Sequence, residues 1–103
     1  MDVNINRLDH TLKVVITGRL SGDDAYKWYN SIMDALGDDV TEVIINLAGV
    51  NYLTSASLRG IILLQKEMDK RDGELVLEDP QEMIFEILDA TGMTRFLDIR
   101  KTS

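Results

Sequence analysis

Glu42-Val43-Ile44-Ile45-Asn46-Leu47-Ala48-Gly49-Val50-Asn51-Tyr52-Leu53-Thr54-Ser55-Ala56-Ser57-Leu58-Arg59-Gly60 passes from a β-branched apolar run into a helical pattern. Val43-Ile44-Ile45 is continuous rather than alternating, which predicts a central parallel strand covered on both sides over residues 42–47. From Ser55 to Lys70 the apolar spacing becomes helical. Leu58, Ile61, Ile62, Gln65 and Met68 share the inner face of that helix, and Lys66, Lys70 and Arg71 complement its C-terminal dipole. Gly73 stops it. Between strand and helix stand three hydroxyl residues, Thr54, Ser55 and Ser57. A helix cap employs one of them and leaves the other two without a role.

Toward the N-terminus, residues 3–8 alternate through Val3 and Ile5, with Leu8 slightly out of step, as a half-exposed edge strand does. Asp9-His10 reads as a turn and residues 12–17 as a second strand, broken by the segment 18–22. A helix follows over 23–36, with Ala25, Trp28, Tyr29, Ile32, Met33 and Leu36 on one face, Ser21 or Asp23 as cap and Gly37 as stop. Toward the C-terminus, residues 74–77 form a strand. Asp79-Pro80-Gln81-Glu82 then reads as a helix start, with Asp79 as N-cap, Pro80 in the first turn and Glu82 completing a capping box. Met83, Ile84, Ile87 and Leu88 form that helix's buried stripe, Gly92 ends it, and residues 95–99 make a short last strand.

The order β-β-α-β-α-β-α-β predicts one α/β domain over residues 1–103. Its sheet is mixed but mostly parallel, with an N-terminal edge strand and helices packed on it. Ile45, Ile62 and Trp28 are its expected core. In such sheets functional groups gather where strand C-termini feed helix N-termini, here at 18–24, 48–57 and 78–82.

Composition narrows the function. The chain has 103 residues, no cysteine and a net charge of −7. Disulfides, thiolate nucleophiles and cysteine metal sites are excluded. The acidity argues against nucleic acid and against an anionic membrane surface as partners. No basic and apolar leader opens the sequence, and no apolar run approaches the roughly 18 residues of a membrane span, so a soluble cytoplasmic domain is expected. His10 is the lone histidine and sits in a turn, while Asp23-Asp24 and Asp38-Asp39 lie at helix ends. No nucleophile elbow, phosphate loop or dinucleotide fingerprint occurs. The expectation is a binding protein that needs no cofactor and no metal and does no catalysis. An enzyme using Ser55 as nucleophile would require His10 to fold beside it.

In this order of elements, the central segment resembles the signature of STAS domains, specifically the bacterial anti-sigma-factor antagonists. Ile44-Ile45-Asn46-Leu47-Ala48-Gly49-Val50 matches the family's strand and its exit, and Thr54-Ser55-Ala56-Ser57-Leu58 matches its loop and helix start. Gly18-Arg19-Leu20 resembles the Gly-x-Leu after the second strand. The segment Ala90-Thr91-Gly92-Met93-Thr94-Arg95-Phe96 resembles the small-x-Gly-apolar segment before the last one. The likeness spans essentially the whole chain.

The resemblance implies a regulatory role. Such antagonists bind a serine kinase that is also an anti-sigma factor, are released when it phosphorylates them, and are reset by a serine phosphatase. The modified serine corresponds to Ser55. Thr54 stands where the family carries Asp and Ser57 where it carries Gly, so Thr54 and Ser57 remain alternative acceptors, and a scaffold module that is never phosphorylated remains the alternative function. Arg59, one turn along the helix, is placed to pair with a phosphate. The expected partner surface comprises Gly18, Leu20, Ser21, Tyr52, Leu53, Thr54, Ser55, Ala56, Ser57 and Arg59, with the outer face of the second helix. Met93 either joins that surface or is buried.

Overall fold

Leu12, Val14 and Ile16 alternate inward with Lys13, Val15 and Thr17 outward, and this period of two forms β2 (Thr11–Leu20). In the computed structural model, which describes residues 1–20 and 26–102, β2 pairs antiparallel with β1 (Asp2–Leu8) and parallel with β3 (Glu42–Leu53). Beyond β3 lie β4 (Glu74–Glu78) and β5 (Asp98–Arg100), both parallel to their neighbours. The strand order is therefore β1-β2-β3-β4-β5, with the antiparallel strand at the edge as expected.

Crossovers between successive parallel strands carry α1 (Lys27–Leu36), α2 (Ser55–Lys70) and α3 (Glu82–Ala90), with a 3₁₀ turn at Met93–Arg95 before β5. All three helices cover one face of the sheet. Their buried residues (Trp28, Ile32, Leu36; Ile61, Leu64, Met68; Ile84, Leu88) join one cluster with Val14, Ile45 and Leu77, which lie side by side in register. Each large apolar side chain buried this completely contributes about 1.5–3 kcal/mol. Among the described residues, no helix is long and apolar enough to cross a membrane.

Several boundaries differ from the sequence expectation. Glycine does not break β2 or β3. Gly18, at φ +99°, and the register shifts beside it let β2 continue to Leu20, while Gly49 lies so close to Thr17 that a Cβ would sit 2.6 Å from its methyl. These are bulge glycines in a strand pair that overhangs β4. β3 is also not covered on both sides: Val43, Ile45 and Leu47 are buried, but Ile44 and Asn46 on the other face are only half-buried.

The inner face of α2 is rotated from the one expected. Ser57, Gly60, Ile61, Leu64 and Met68 point inward, leaving Leu58, Ile62 and Gln65 half-buried. Gly60 is the reason: a Cβ there would come within 2.8 Å of the Trp28 ring, so α1 and α2 meet through a missing side chain. Gly60→Ala is expected to destabilise the fold by about 1–3 kcal/mol through overpacking, even though alanine is the better helix former. A raised unfolding midpoint in urea would contradict that contact.

α1 begins at Lys27, with Tyr26 at its N-cap and no side-chain cap; the expected caps Ser21 and Asp23, with Ala25, lie outside the described residues. For α3 the N-cap is Gln81, not Asp79, and no capping box forms. Asp79 instead adopts φ +52° and accepts hydrogen bonds from the backbone N–H and hydroxyl of Thr102, which hold its carboxyl below the usual carboxylate range. Met83 is exposed rather than part of the α3 stripe, and the last strand starts at Asp98 because Met93–Arg95 is taken by the 3₁₀ turn.

Candidate functional site

β2 and β3 run parallel, so Leu20 and Leu53 end them side by side, and α2 starts two residues after Leu53. Thr54 is the N-cap in extended conformation, and its Oγ1 accepts from the Ser57 N–H at 3.3 Å. Ser57 is fully buried, and its hydroxyl donates to the Leu20 carbonyl at 2.9 Å. The Thr54 hydroxyl reaches the same carbonyl at 3.2 Å and the Ser57 Oγ at 3.4 Å. These two hydroxyls tie the start of α2 to the end of β2.

Ser55 differs from both. It occupies the first helical position, is exposed, and among the described residues its hydroxyl forms no hydrogen bond. The N–H groups of Ser55 and Ala56 precede the first intrahelical bond, which runs from Leu58 N–H to Thr54 C=O at 3.0 Å. Unpaired N–H groups and the helix dipole favour negative charge at this point. Arg59 is exposed one turn further along.

Of the other expected surface residues, Tyr52 is exposed and Ala56 and Gly18 are half-buried. Leu20 and Leu53 are buried, so with Ser57 they support this surface from beneath rather than face a partner. Ser21 lies outside the described residues. Met93 is buried, the second of the two readings given to it. His10 is far from Ser55: its Nδ1 lies 3.0 Å from the Asp39 carbonyl oxygen, where β2 and β3 begin, at the opposite end of the sheet. Among the described residues, no group of three or more His, Cys, Asp or Glu is placed to hold a metal ion.

Sequence reasoning did not single out Arg19, whose guanidinium lies 4.3 Å from the Tyr52 ring centroid as a cation–π pair beside the start of α2. The register shift between Gly18 and Arg19 brings the two together, and no spacing rule in the sequence announces it. Also missed was a shallow trough of about 620 Å³ running from Ser55 along the outer side of α2 to Met93 and Phe96.

β–α crossovers join the parallel strands of the sheet, and an exposed serine opens the capped helix α2 directly after β3. The chain belongs to the STAS domain family, whose sequence profile matches residues 2–103. A Bordetella bronchiseptica protein named as an anti-sigma factor antagonist, BtrV, is 23% identical over 92 residues, which is 89% of this chain and 79% of that protein. TM1081 of Thermotoga maritima, also described as an anti-sigma factor antagonist, superposes with a TM-score of 0.88 at 20% identity, over 98% of this chain and 86% of that one. The antagonist SpoIIAA superposes in its unphosphorylated form with a TM-score of 0.80 at 13% identity, covering 99% of this chain and 90% of that one. Its phosphorylated form, from Bacillus, gives 0.79 at 14%, covering 99% and 92%. At these identities the superpositions establish the fold.

Proposed function

We propose that this chain is an anti-sigma-factor antagonist of the partner-switching kind. It binds an anti-sigma serine kinase when unphosphorylated, is released on phosphorylation of Ser55, and is reset by a serine phosphatase. The observation that carries the reading is the exposed, unbonded Ser55 hydroxyl, flanked by two hydroxyls that are spent on the fold. BtrV and SpoIIAA, both named as antagonists, lend it support, as does the phosphorylated form of SpoIIAA.

The physical switch follows from charge. A phosphate adds about −1.5 to −2 charges near neutral pH. At Ser55 it meets free N–H groups and Arg59, so the domain tolerates it. The same charge inside a docked surface must be desolvated, a cost that the N–H groups and Arg59 offset only in part, so the complex opens. The domain itself does no chemistry; the kinase and the phosphatase do.

The test is incubation with the anti-sigma serine kinases of the same organism and ATP, followed by mass spectrometry and binding measurements. Phosphate on Ser55, with an affinity loss of about 100-fold (roughly 2.7 kcal/mol), is expected. Ser55→Ala is expected to stay bound and unmodified. Phosphate on Thr54 or Ser57 with Ser55 untouched would refute the residue assignment. A second reading, a STAS interaction module without phosphorylation, is favoured by Thr54 and Ser57 standing where the family carries Asp and Gly. Finding no phosphate on the chain would establish it.

A further inference from the structure

Ser55, Arg59, Ile62 and Lys66 fall at helical spacing on the outer side of α2, and together they line one wall of the trough that starts at Ser55. Met93 and Phe96, which follow α3, form the facing wall. Most of the lining of the trough is apolar. Leu63 and Phe96 are 38% and 52% exposed there, so apolar side chains face solvent beside the two cations of the trough.

Its charge is opposite to that of the chain. The protein carries −7 overall, yet among the described residues no carboxylate lines the trough, and the charged lining groups there are Arg59 and Lys66. Among the described residues neither cation forms an ion pair within the chain. They are seven residues apart, about two helical turns or ~10.5 Å. Carboxylates two turns apart on a facing helix match that spacing. An acidic segment is repelled by most of this protein and welcomed here, which fixes where it docks.

We infer that the trough receives an acidic amphipathic helix of the partner. Its apolar face packs on Ile62, Leu63 and Phe96, over the buried Met93, and its carboxylates pair with Arg59 and Lys66, the helix-in-groove mode of recognition. The inference rests on the antagonist reading for its regulation: a phosphate on Ser55 draws Arg59 toward itself and sets negative charge at the mouth of the trough. An acidic helix then loses a cation and gains a repulsion in one step.

Two probes test this on the full chain. The first is a synthetic amphipathic helix of about 18 residues with leucines on one face and glutamates two turns apart, set against the same peptide with lysines. With methyl-labelled protein, the glutamate peptide is expected to shift the Ile62, Leu63 and Met93 methyl resonances. Lys66→Glu should weaken it at least about fivefold and reverse the preference toward the lysine peptide. Lys66 is exposed, so the variant should keep the wild-type melting temperature, which is measured alongside. Equal binding of both peptides, or shifts traced to self-association of the chain, would overturn the inference.

The second probe is the anti-sigma kinase itself. Weaker capture by Lys66→Glu supports the trough. Should Lys66→Glu bind the kinase like wild type, with phosphorylation still releasing it, the trough is overturned and the antagonist reading stands. Should no kinase bind while the glutamate peptide does so in a Lys66-dependent way, the trough stands and the antagonist reading falls.

Discussion

Ile45→Ala is expected to lower the unfolding free energy by about 2–5 kcal/mol, against a total of roughly 5–15 kcal/mol for a domain of this size. Ile45 lies on β3, which is paired on both sides, and its side chain sits between Val14 and Leu77 in register. It is 1% exposed, beneath the helix layer. Truncation removes methyl groups from a site whose neighbours are strands held by backbone hydrogen bonds, so the cavity cannot collapse. Ile44→Ala is the internal control. Ile44 faces the open side of the sheet and is half-buried, so its loss should stay below about 1.5 kcal/mol. Urea unfolding of both variants measures the difference, and equal losses would mean that the two faces of β3 have been confused.

Ser55→Asp and Ser57→Asp are expected to behave in opposite ways although they stand two residues apart. At position 55 the new carboxylate is in water beside free N–H groups at the start of α2, and stability should change by no more than about 1 kcal/mol. Binding to the kinase should weaken, partially, since aspartate carries less charge than phosphate. At position 57 the carboxylate is sealed from solvent and faces the Leu20 carbonyl oxygen, to which the native hydroxyl donates at 2.9 Å. It has no proton to give, and the helix terminus offsets only part of the desolvation. A loss of about 2–4 kcal/mol is expected. Thermal unfolding of the two variants, with kinase binding of the folded one, decides it. Similar melting temperatures would show that Ser57 is not sealed, and would return it to the list of acceptors.

Much of this protein is legible in its residues. The alternation of β1 and β2, the amphipathic spacing of α1 and α3 and the Thr-Ser-x-Ser helix start depend on local periodicity and capping, which act over a few residues. The order of elements, the antiparallel edge strand and the span of α2 therefore read directly, and so did the segment that holds the candidate site. The resemblance to STAS domains drew on the same residues.

The tertiary structure decided what depends on neighbours distant in sequence. Gly18 and Gly49 look like strand breakers until β2 and β3 pair and need bulges, and Arg19 meets Tyr52 only through that shifted register. Gly60 and Ser57 carry no hydrophobic signal, yet they face inward because Trp28 needs the space above one and the Leu20 carbonyl needs the hydroxyl of the other. Asp79 has every local mark of a helix cap, but Thr102 from beyond β5 claims its carboxylate. Three hydroxyls in a row of four residues are equivalent as text. Hydrogen bonding across 34 and 37 residues to Leu20 engages Thr54 and Ser57 and leaves Ser55 in solvent. Local propensity named the segment; long-range contacts determined which of its side chains a partner can reach.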